Sequence, residues 1–450
     1  MTMSTEELNY FNIVVMLVIF VITYYLIIKK SFDKNIAAAL GALTALVAGE
    51  ILSAFDQEEF LAVDLGHDYL ILAILLGNLL MVVVASEVGL FQFISIKLLK
   101  ATKGDPRYLY FSLGTLTLLL SSLVNTIPAI LVVGALTIVA CSELNYNPRP
   151  FILMEIVVTN TGGLTTLISA ITNLIIAIPF GIAFIRFTVI AGPLAMILFV
   201  ISMVFMYYAV PIEKGMDPKK RMEKINSFNE WSVIDDKVKF YKTSAVFALS
   251  MLMLLLSDTI GFSIAVISVG GGLLMMYASG KKFEQVLPKV DWTLLTFFAS
   301  LFVLIKVLEI VGVLRILAEV LVFFLGSNNL IASLILLLFS TIISGVLDNV
   351  VLAVTLTPII QDIAATTSLD AGPLVWALII GTNLGGGLTP IGAPPCVLGL
   401  GILQRETGQK VGWGEFFKTV GMATIIRLVV AAIYLAILVF LVDPHFLSPV

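Results

Sequence analysis

Runs of about twenty apolar residues recur along the whole chain, and each is as long as a helix must be to cross a hydrocarbon core of about 30 Å. They fall at 11–28, 36–55, 69–87, 149–179, 186–210, 243–258, 260–278, 292–312, 372–403 and 416–442, which predicts about ten crossings. Only 12% of the 450 residues are charged, against roughly 25% in soluble proteins. With 59% hydrophobic residues and a mean hydropathy of +1.07, too few polar side chains exist to cover a water-facing globule. The expected class is an all-α polytopic membrane protein whose first partner is the lipid bilayer. Glu6 and Glu7 precede the first run and no Lys or Arg does, unlike the basic start of a cleavable signal peptide, so 11–28 is read as a retained span.

Two of these runs, 149–179 and 372–403, are too long for one straight helix. Thr161-Gly162-Gly163 interrupts the first, and Gly385-Gly386-Gly387 with Pro390 interrupts the second, residue types that disfavour helix. Two further apolar segments, 109–141 and 332–362, carry polar breaks at Asn125-Thr126-Ile127-Pro128 and at Asp348-Asn349. Each is read as a re-entrant hairpin that enters and leaves on one side. Ser122-Leu123-Val124-Asn125 aligns with Val346-Leu347-Asp348-Asn349, and Asn160, Gly162, Gly163, Thr166, Ile168 and Ala170 align with Asn383, Gly385, Gly386, Thr389, Ile391 and Ala393. The chain thus divides into a first repeat at 1–210, a linker at 211–242 and a second repeat at 243–450. Each half holds five crossings and one hairpin, and an odd number inserts the second half upside down. Inverted repeats with broken helices are the architecture of secondary transporters.

Basic residues concentrate on the cytoplasmic side of a membrane. Of the 26 Lys and Arg, Arg186 and Arg315 lie near span ends on one side of this topology and Lys306 and Arg427 inside spans; the rest fall on the other side. That distribution places both termini outside and 211–242 in the cytoplasm, in a plasma (inner) membrane. The net charge is −4, and the basic residues follow the connections without forming a patch, so nucleic acid is not an expected partner. Cys141 and Cys396 sit in apolar runs without CxxC or Cys/His spacing, which supports neither a disulfide scaffold nor a zinc site.

Irregular backbone at membrane depth is tolerable only where protein or a watery cavity satisfies it, so four matched breaks point to a cavity. Hard oxygen donors there are Asn125, Thr126, Asn160, Thr161 and Thr165 in the first half and Asp348, Asn349, Thr382, Asn383 and Thr389 in the second. Helix N-termini can face an anion and unwound carbonyls can coordinate Na⁺. A single Asn or Thr would more simply glue helices together; four breaks in register weigh against that reading. Glu155, five residues before Asn160, and Asp348 are the candidates for proton coupling, because an intramembrane carboxyl is expensive to bury; the alternatives are a paired or hydrated structural role for Glu155 and simple capping of the second hairpin helix for Asp348.

Four segments resemble the signature segments of the ion transporter superfamily, which includes arsenite permeases, NhaD-type sodium/proton antiporters and divalent anion/sodium symporters. They are Ser-Ser-Leu-Val-Asn-Thr-Ile-Pro at 121–128, Thr-Asn-Thr-Gly-Gly-Leu-Thr-Thr-Leu-Ile at 159–168, Asp348-Asn349, and Asn-Leu-Gly-Gly-Gly-Leu-Thr-Pro-Ile-Gly at 383–392. The resemblance covers about residues 65–405. It implies sodium clamped between each hairpin tip and the adjacent break, at Asn125, Thr126, Thr161, Gly162, Asp348, Asn349, Asn383 and Gly385. It also implies substrate between the clamps, at Asn125, Asn160, Thr165, Asn349, Thr382 and Thr389, and movement of a hairpin domain against a scaffold. Carboxylate symporters usually read Ser-Asn-Thr at both tips, whereas these read Val124-Asn125-Thr126 and Asp348-Asn349-Val350. The acidic tip favours the arsenite-permease and antiporter side.

The expected function is ion-coupled secondary transport of a small ion or molecule by alternating access, first as Na⁺/H⁺ antiport or arsenite-permease-like transport. A sodium-coupled symporter of di- or tricarboxylates or another anion is the alternative, and a channel stands behind both. Na⁺ is the expected coupling ion, with H⁺ coupling as an option, no organic cofactor, and a homodimer left open. An enzyme would need a nucleophile and base or a metal cluster, which two histidines without HExxH do not supply, and no GxxxxGKS loop exists for ATP. Lys306 and Glu309 are spaced to pair on one helix face. Arg427 is expected to serve as a partner or to snorkel, Glu50 to pair or reach water near its span end, and His67 to be solvated. The topology predicts that a cysteine at residue 4 is labelled by an impermeant reagent on intact cells and one at residue 227 is protected; the reverse pattern would overturn it.

Overall fold

The computed structural model describes residues 10–28, 33–55, 60, 66–212, 221–223, 225 and 229–441. Glu6, Glu7, much of the linker and both labelling positions lie outside the described residues, as does the side chain of His67. Among the described residues there is no strand. Among the described residues nine helices are long and apolar enough to cross a membrane, or up to 11 if each of two bent pairs is one span, and two of the nine, 126–144 and 349–366, are arms of the expected hairpins.

The chain opens with α1 (Tyr10–Ile28) and α2 (Lys34–Ile51). Then follow α3 (Gly66–Glu87), α4 (Leu90–Ala101), α5 (Pro106–Leu123), α6 (Thr126–Leu144), α7 (Arg149–Gly162), α8 (Ile171–Ala177) and α9 (Phe184–Ala209). Past a short turn at Glu230–Val233 come α10 (Lys237–Leu255) and α11 (Ile264–Ser279). The chain continues through α12 (Trp292–Ile310), α13 (Val313–Leu325), α14 (Asn329–Ser344), α15 (Asn349–Thr366), α16 (Ala371–Gly385) and α17 (Pro394–Thr407), and closes with α18 (Met422–Leu441). The succession from α3 to α9 is repeated from α12 to α18.

Two of these helices, α4 and α13, occupy stretches expected as plain connections. Each follows a glycine in the left-handed region, Gly89 at φ 79° and Gly312 at φ 87°, which turns the chain sharply without a β-carbon clash. The chain bends by 114° between α13 and α14. Helix α13 buries Val313, Leu314, Ala318 and Leu325 and leaves Val320, Phe323 and Phe324 exposed, an apolar outer face suited to lipid.

Helix starts are capped by short polar residues that accept bonds from otherwise orphaned N–H groups. Asp33 heads α2, Asp105 heads α5 with Pro106 after it, Asp236 heads α10 and Asp370 heads α16. Outside the spans, Lys100 donates to Glu230 at 2.7 Å, and that bond holds the Glu230 carboxyl below its ordinary value.

The two broken helices form the centre. Every residue of α7 from Pro150 and of α16 from Gly372 is buried. Helices α5 and α14 press against them at glycines: a β-carbon on Gly162 would stand 1.7 Å from Ser121 Oγ, and one on Gly385 would stand 2.3 Å from the Thr341 carbonyl. Around this centre α2 packs on α12 and α1, and α3 packs on α11, where Gly77 lets the backbones approach at Ser268. Close backbone approach through small residues is how helices gain contact where water supplies no driving force between them.

These contacts predict opposite outcomes for two glycines. Gly385→Ala forces backbone apart and should destabilise by about 1–3 kcal/mol. Gly401, inside α17 with nothing within 4 Å of a β-carbon, should gain about 0.5–1 kcal/mol as alanine. Thermal unfolding in detergent checks both signs.

Candidate functional site

Both hairpin breaks end as helix N-caps. Asn125 heads α6, its Oδ1 accepting from the Ile127 N–H at 3.3 Å, and Asp348 heads α15, its Oδ1 accepting from Val350 N–H at 3.0 Å. Asn125 therefore corresponds to Asp348, and the tip alignment that matched Asn125 to Asn349 is off by one residue. The seams agree with this register: Thr166 Oγ1 donates to the Ser122 carbonyl at 2.7 Å as Thr389 Oγ1 donates to that of Gly345 at 2.5 Å. Gly162 lies on Ser121 as Gly385 lies on Ser344. Matching by identity paired two asparagines, whereas the cap position accepts Asn or Asp equally. Asn125 also holds φ 125°, a backbone region costing a non-glycine residue about 1–3 kcal/mol.

The tips and both breaks meet at one small cavity that opens to solvent. Its walls include Asn125, Thr126 and Ile127 from the first tip and Asp348, Asn349 and Val350 from the second. Asn160 and Asn383, Ala170 to Thr172, and Ala393 to Pro395 supply the broken helices' share. Lys34 from α2 and Leu294, Phe297 and Phe298 from α12 complete it. The N-termini of α6, α15 and α17 all open on this space, each carrying about half a positive elementary charge. The Lys34 ammonium lies 3.7 Å from Asp348 Oδ2 and 5.0 Å from the Phe297 ring centroid.

Behind the cavity the freed backbone is bonded mainly by side chains of the first half. Ser122 Oγ and Thr165 Oγ1 are 2.6 Å apart. Ser169 Oγ donates to the Gly163 carbonyl at 2.7 Å, and Asn173 Nδ2 donates to the same carbonyl at 2.8 Å and to that of Thr166 at 2.9 Å. Asn383 Nδ2 crosses between halves to Asn173 Oδ1 at 2.8 Å. In the second half the matching positions hold Gly345, Leu388, Gly392 and Cys396, and Cys396 Sγ donates to the Gly386 carbonyl at 3.2 Å.

A citrate transporter family profile matches residues 15–381 and 321–448. The chain belongs to the citrate transporter family. It is 28% identical to an uncharacterized transporter of Mycobacterium bovis over 94% of this chain and 97% of that protein. A 46 kDa membrane protein of Mycobacterium leprae is 27% identical over 94% and 98%. The P protein of Sus scrofa is 26% identical over 92% of this chain but only 58% of its own length. The crystal structure of the Alcanivorax borkumensis YdaH transporter matches with a TM-score of 0.60 and 15% identity, over 87% of this chain and 90% of that one, a shared fold.

In this citrate transporter family member the cavity gathers Asn125, Thr126, Asn160, Asp348, Asn349 and Asn383 of the residues singled out from sequence. The others stand behind its wall. Thr161 Oγ1 donates to the Val157 carbonyl at 2.9 Å and Thr382 Oγ1 to that of Leu378 at 2.8 Å. Gly162 and Gly385 face hairpin arms, and Thr165 and Thr389 tie the seams. Glu155 is fully buried, receives a hydrogen bond from Thr137, and has no partner for Oε2 among the described residues. Lys306 and Glu309 do pair, at 3.2 Å, and line a second cavity beside α12 and α15. Glu50 is exposed. Lys34 and the Phe297–Phe298 wall were not anticipated; the sequence marked Lys34 only as a topology charge.

Arg427 neither snorkels nor meets a carboxylate in any hydrogen bond it makes among the described residues. Fully buried on α18, it donates through Nη1 to the Val157 carbonyl at 3.1 Å and to Thr161 Oγ1 at 3.0 Å. Nη2 donates to Thr424 Oγ1 at 2.6 Å and would stand 2.9 Å from a β-carbon on Gly387. The guanidinium thus sits at the C-terminal end of α7 and beside the end of α16, where helix dipoles present negative charge. Arg427→Lys loses the fork but keeps a positive charge at these negative helix ends, so it should lower the unfolding temperature less than Arg427→Met, which removes the charge as well. The reverse order in a thermal melt would contradict this electrostatic account.

Proposed function

We propose that the protein is a secondary transporter of a small carboxylate anion, working by alternating access between two inverted halves in a plasma (inner) membrane with both termini outside. The observation that carries this reading is the cavity itself, onto which three helix N-termini, the Lys34 ammonium and the Asn160 and Asn383 side chains converge. Such a wall attracts negative charge, and the Lys34 ammonium, the Asn160 amide and the first N–H groups of α6 and α15 can donate to carboxylate oxygens, whereas α17, which begins with Pro394 and Pro395, adds its dipole without N–H donors. The one acidic side chain on it among the described residues, Asp348, is already engaged as a cap and with Lys34. Membership in the citrate transporter family supports the same substrate class. This moves the anion symporter ahead of Na⁺/H⁺ antiport and arsenite transport.

Sodium coupling is part of the proposal. Asn125, Thr126, Asn349 and neighbouring carbonyls supply the hard oxygens a cation needs, and Asn125→Ala or Asn349→Ala should lower apparent Na⁺ affinity more than protein abundance. Proton coupling has two candidates. Asp348 lines the cavity; Glu155 favours the antiport reading, because a fully buried carboxyl with one hydroxyl partner and a free oxygen is costly when ionised.

Counterflow in liposomes decides between them. Citrate or succinate exchange accelerated by an inward Na⁺ gradient is the expected result. Sodium-driven proton movement that needs no carboxylate, and that vanishes in Glu155→Gln or Asp348→Asn, would establish antiport instead.

A further inference from the structure

Lys34 opens α2, which packs around the centre and has no part in the tips or breaks, yet its ammonium reaches the wall of the cavity. Helix α2 packs along α12, and α12 supplies Phe297, over whose ring the ammonium lies. Opposite stands Asp348 at the tip of the second hairpin, with Oδ1 committed to the Val350 N–H and Oδ2 facing Lys34 at 3.7 Å. The Lys34 side chain is 47% exposed and that of Asp348 24%, so water reaches the pair and its net contribution is small. Such a contact exchanges readily for a better acceptor.

Resting on the carboxylate reading above, we propose that Lys34 binds the second carboxylate of the substrate, taking it in exchange for Asp348, and so selects di- and tricarboxylates over monocarboxylates. The helix N-termini at the tips can receive one carboxylate. A second, a few ångströms further from the tips, meets the ammonium that Phe297 holds at the opposite wall. Neither step moves a covalent bond; one ion pair is traded for another. The exchange also releases α2 from the tip of α15, so occupancy by a polycarboxylate loosens a tie between the α2–α12 pair and the hairpin, which a monocarboxylate leaves in place.

The test uses the full chain in liposomes, with citrate, succinate and lactate as probes and kcat/KM as the readout. Lys34→Gln should lower the citrate-to-lactate ratio of kcat/KM about tenfold, chiefly through the KM for citrate, and Lys34→Arg should recover most of it. Asp348→Asn, which retains the capping oxygen, should lower the KM for citrate by freeing Lys34, and this gain should disappear in the Lys34→Gln background. An unchanged ratio in Lys34→Gln, equal losses for all three acids, or an Asp348→Asn gain that persists without Lys34 would each overturn the proposal while carboxylate transport stands. Wild-type protein that moves none of the three acids would overturn the carboxylate reading and this inference together.

Discussion

A helix interrupted inside a membrane frees backbone N–H and C=O groups that lipid cannot satisfy, and the rest of this structure is arranged around that constraint. The interruptions survive because protein surrounds them: α7 and α16, which lead into the two breaks, are buried from Pro150 and from Gly372 to their ends, and α8 is buried throughout. Ser169 and Asn173 answer the Gly163 carbonyl, and Thr389 answers that of Gly345. Glycines at Gly162 and Gly385 let the hairpin arms come close enough for these seams to close.

The same breaks sort charge. Each divides a helix into a piece ending at the centre and a piece beginning there, so C-terminal and N-terminal dipole ends lie within a few residues of each other. Arg427 occupies the C-terminal side, bonded to Val157 and Thr161 and close to Gly387, and the cavity occupies the N-terminal side. A buried guanidinium without a carboxylate would be prohibitive in lipid, but carbonyls and hydroxyls at a helix end supply both acceptors and favourable potential. The negative ends are thereby neutralised by the protein, leaving the positive ends to face whatever enters.

The halves share elements but not chemistry. Ser122, Thr165, Ser169 and Asn173 make a polar seam in the first half where the second has Gly345, Leu388, Gly392 and Cys396. The first tip is headed by a neutral Asn125 on strained backbone, the second by an acidic Asp348 on relaxed backbone. Asn383 bonded to Asn173 joins the two sides across the centre. The repeat supplied the frame, and single substitutions within it made one side the more polar and the other the charged one.

The amino-acid sequence by itself determined the membrane class, most of the long apolar helices and the four breaks, because hydrocarbon thickness and helix-breaking residues act locally and leave a direct trace in residue order. It also marked six of the tip and break residues that share the cavity wall. Helices α4 and α13 escaped it, being only 12 and 13 residues long, too short for the length rule that found the spans. The tip register escaped it too, since an N-cap is a backbone role that Asn and Asp fill alike. Only the tertiary structure decided that Lys34 faces Asp348, more than 300 residues away in the chain, and that Arg427 closes on Thr161. Those contacts depend on how separate helices pack, and no local pattern in the sequence encodes which distant backbone end a buried cation will meet.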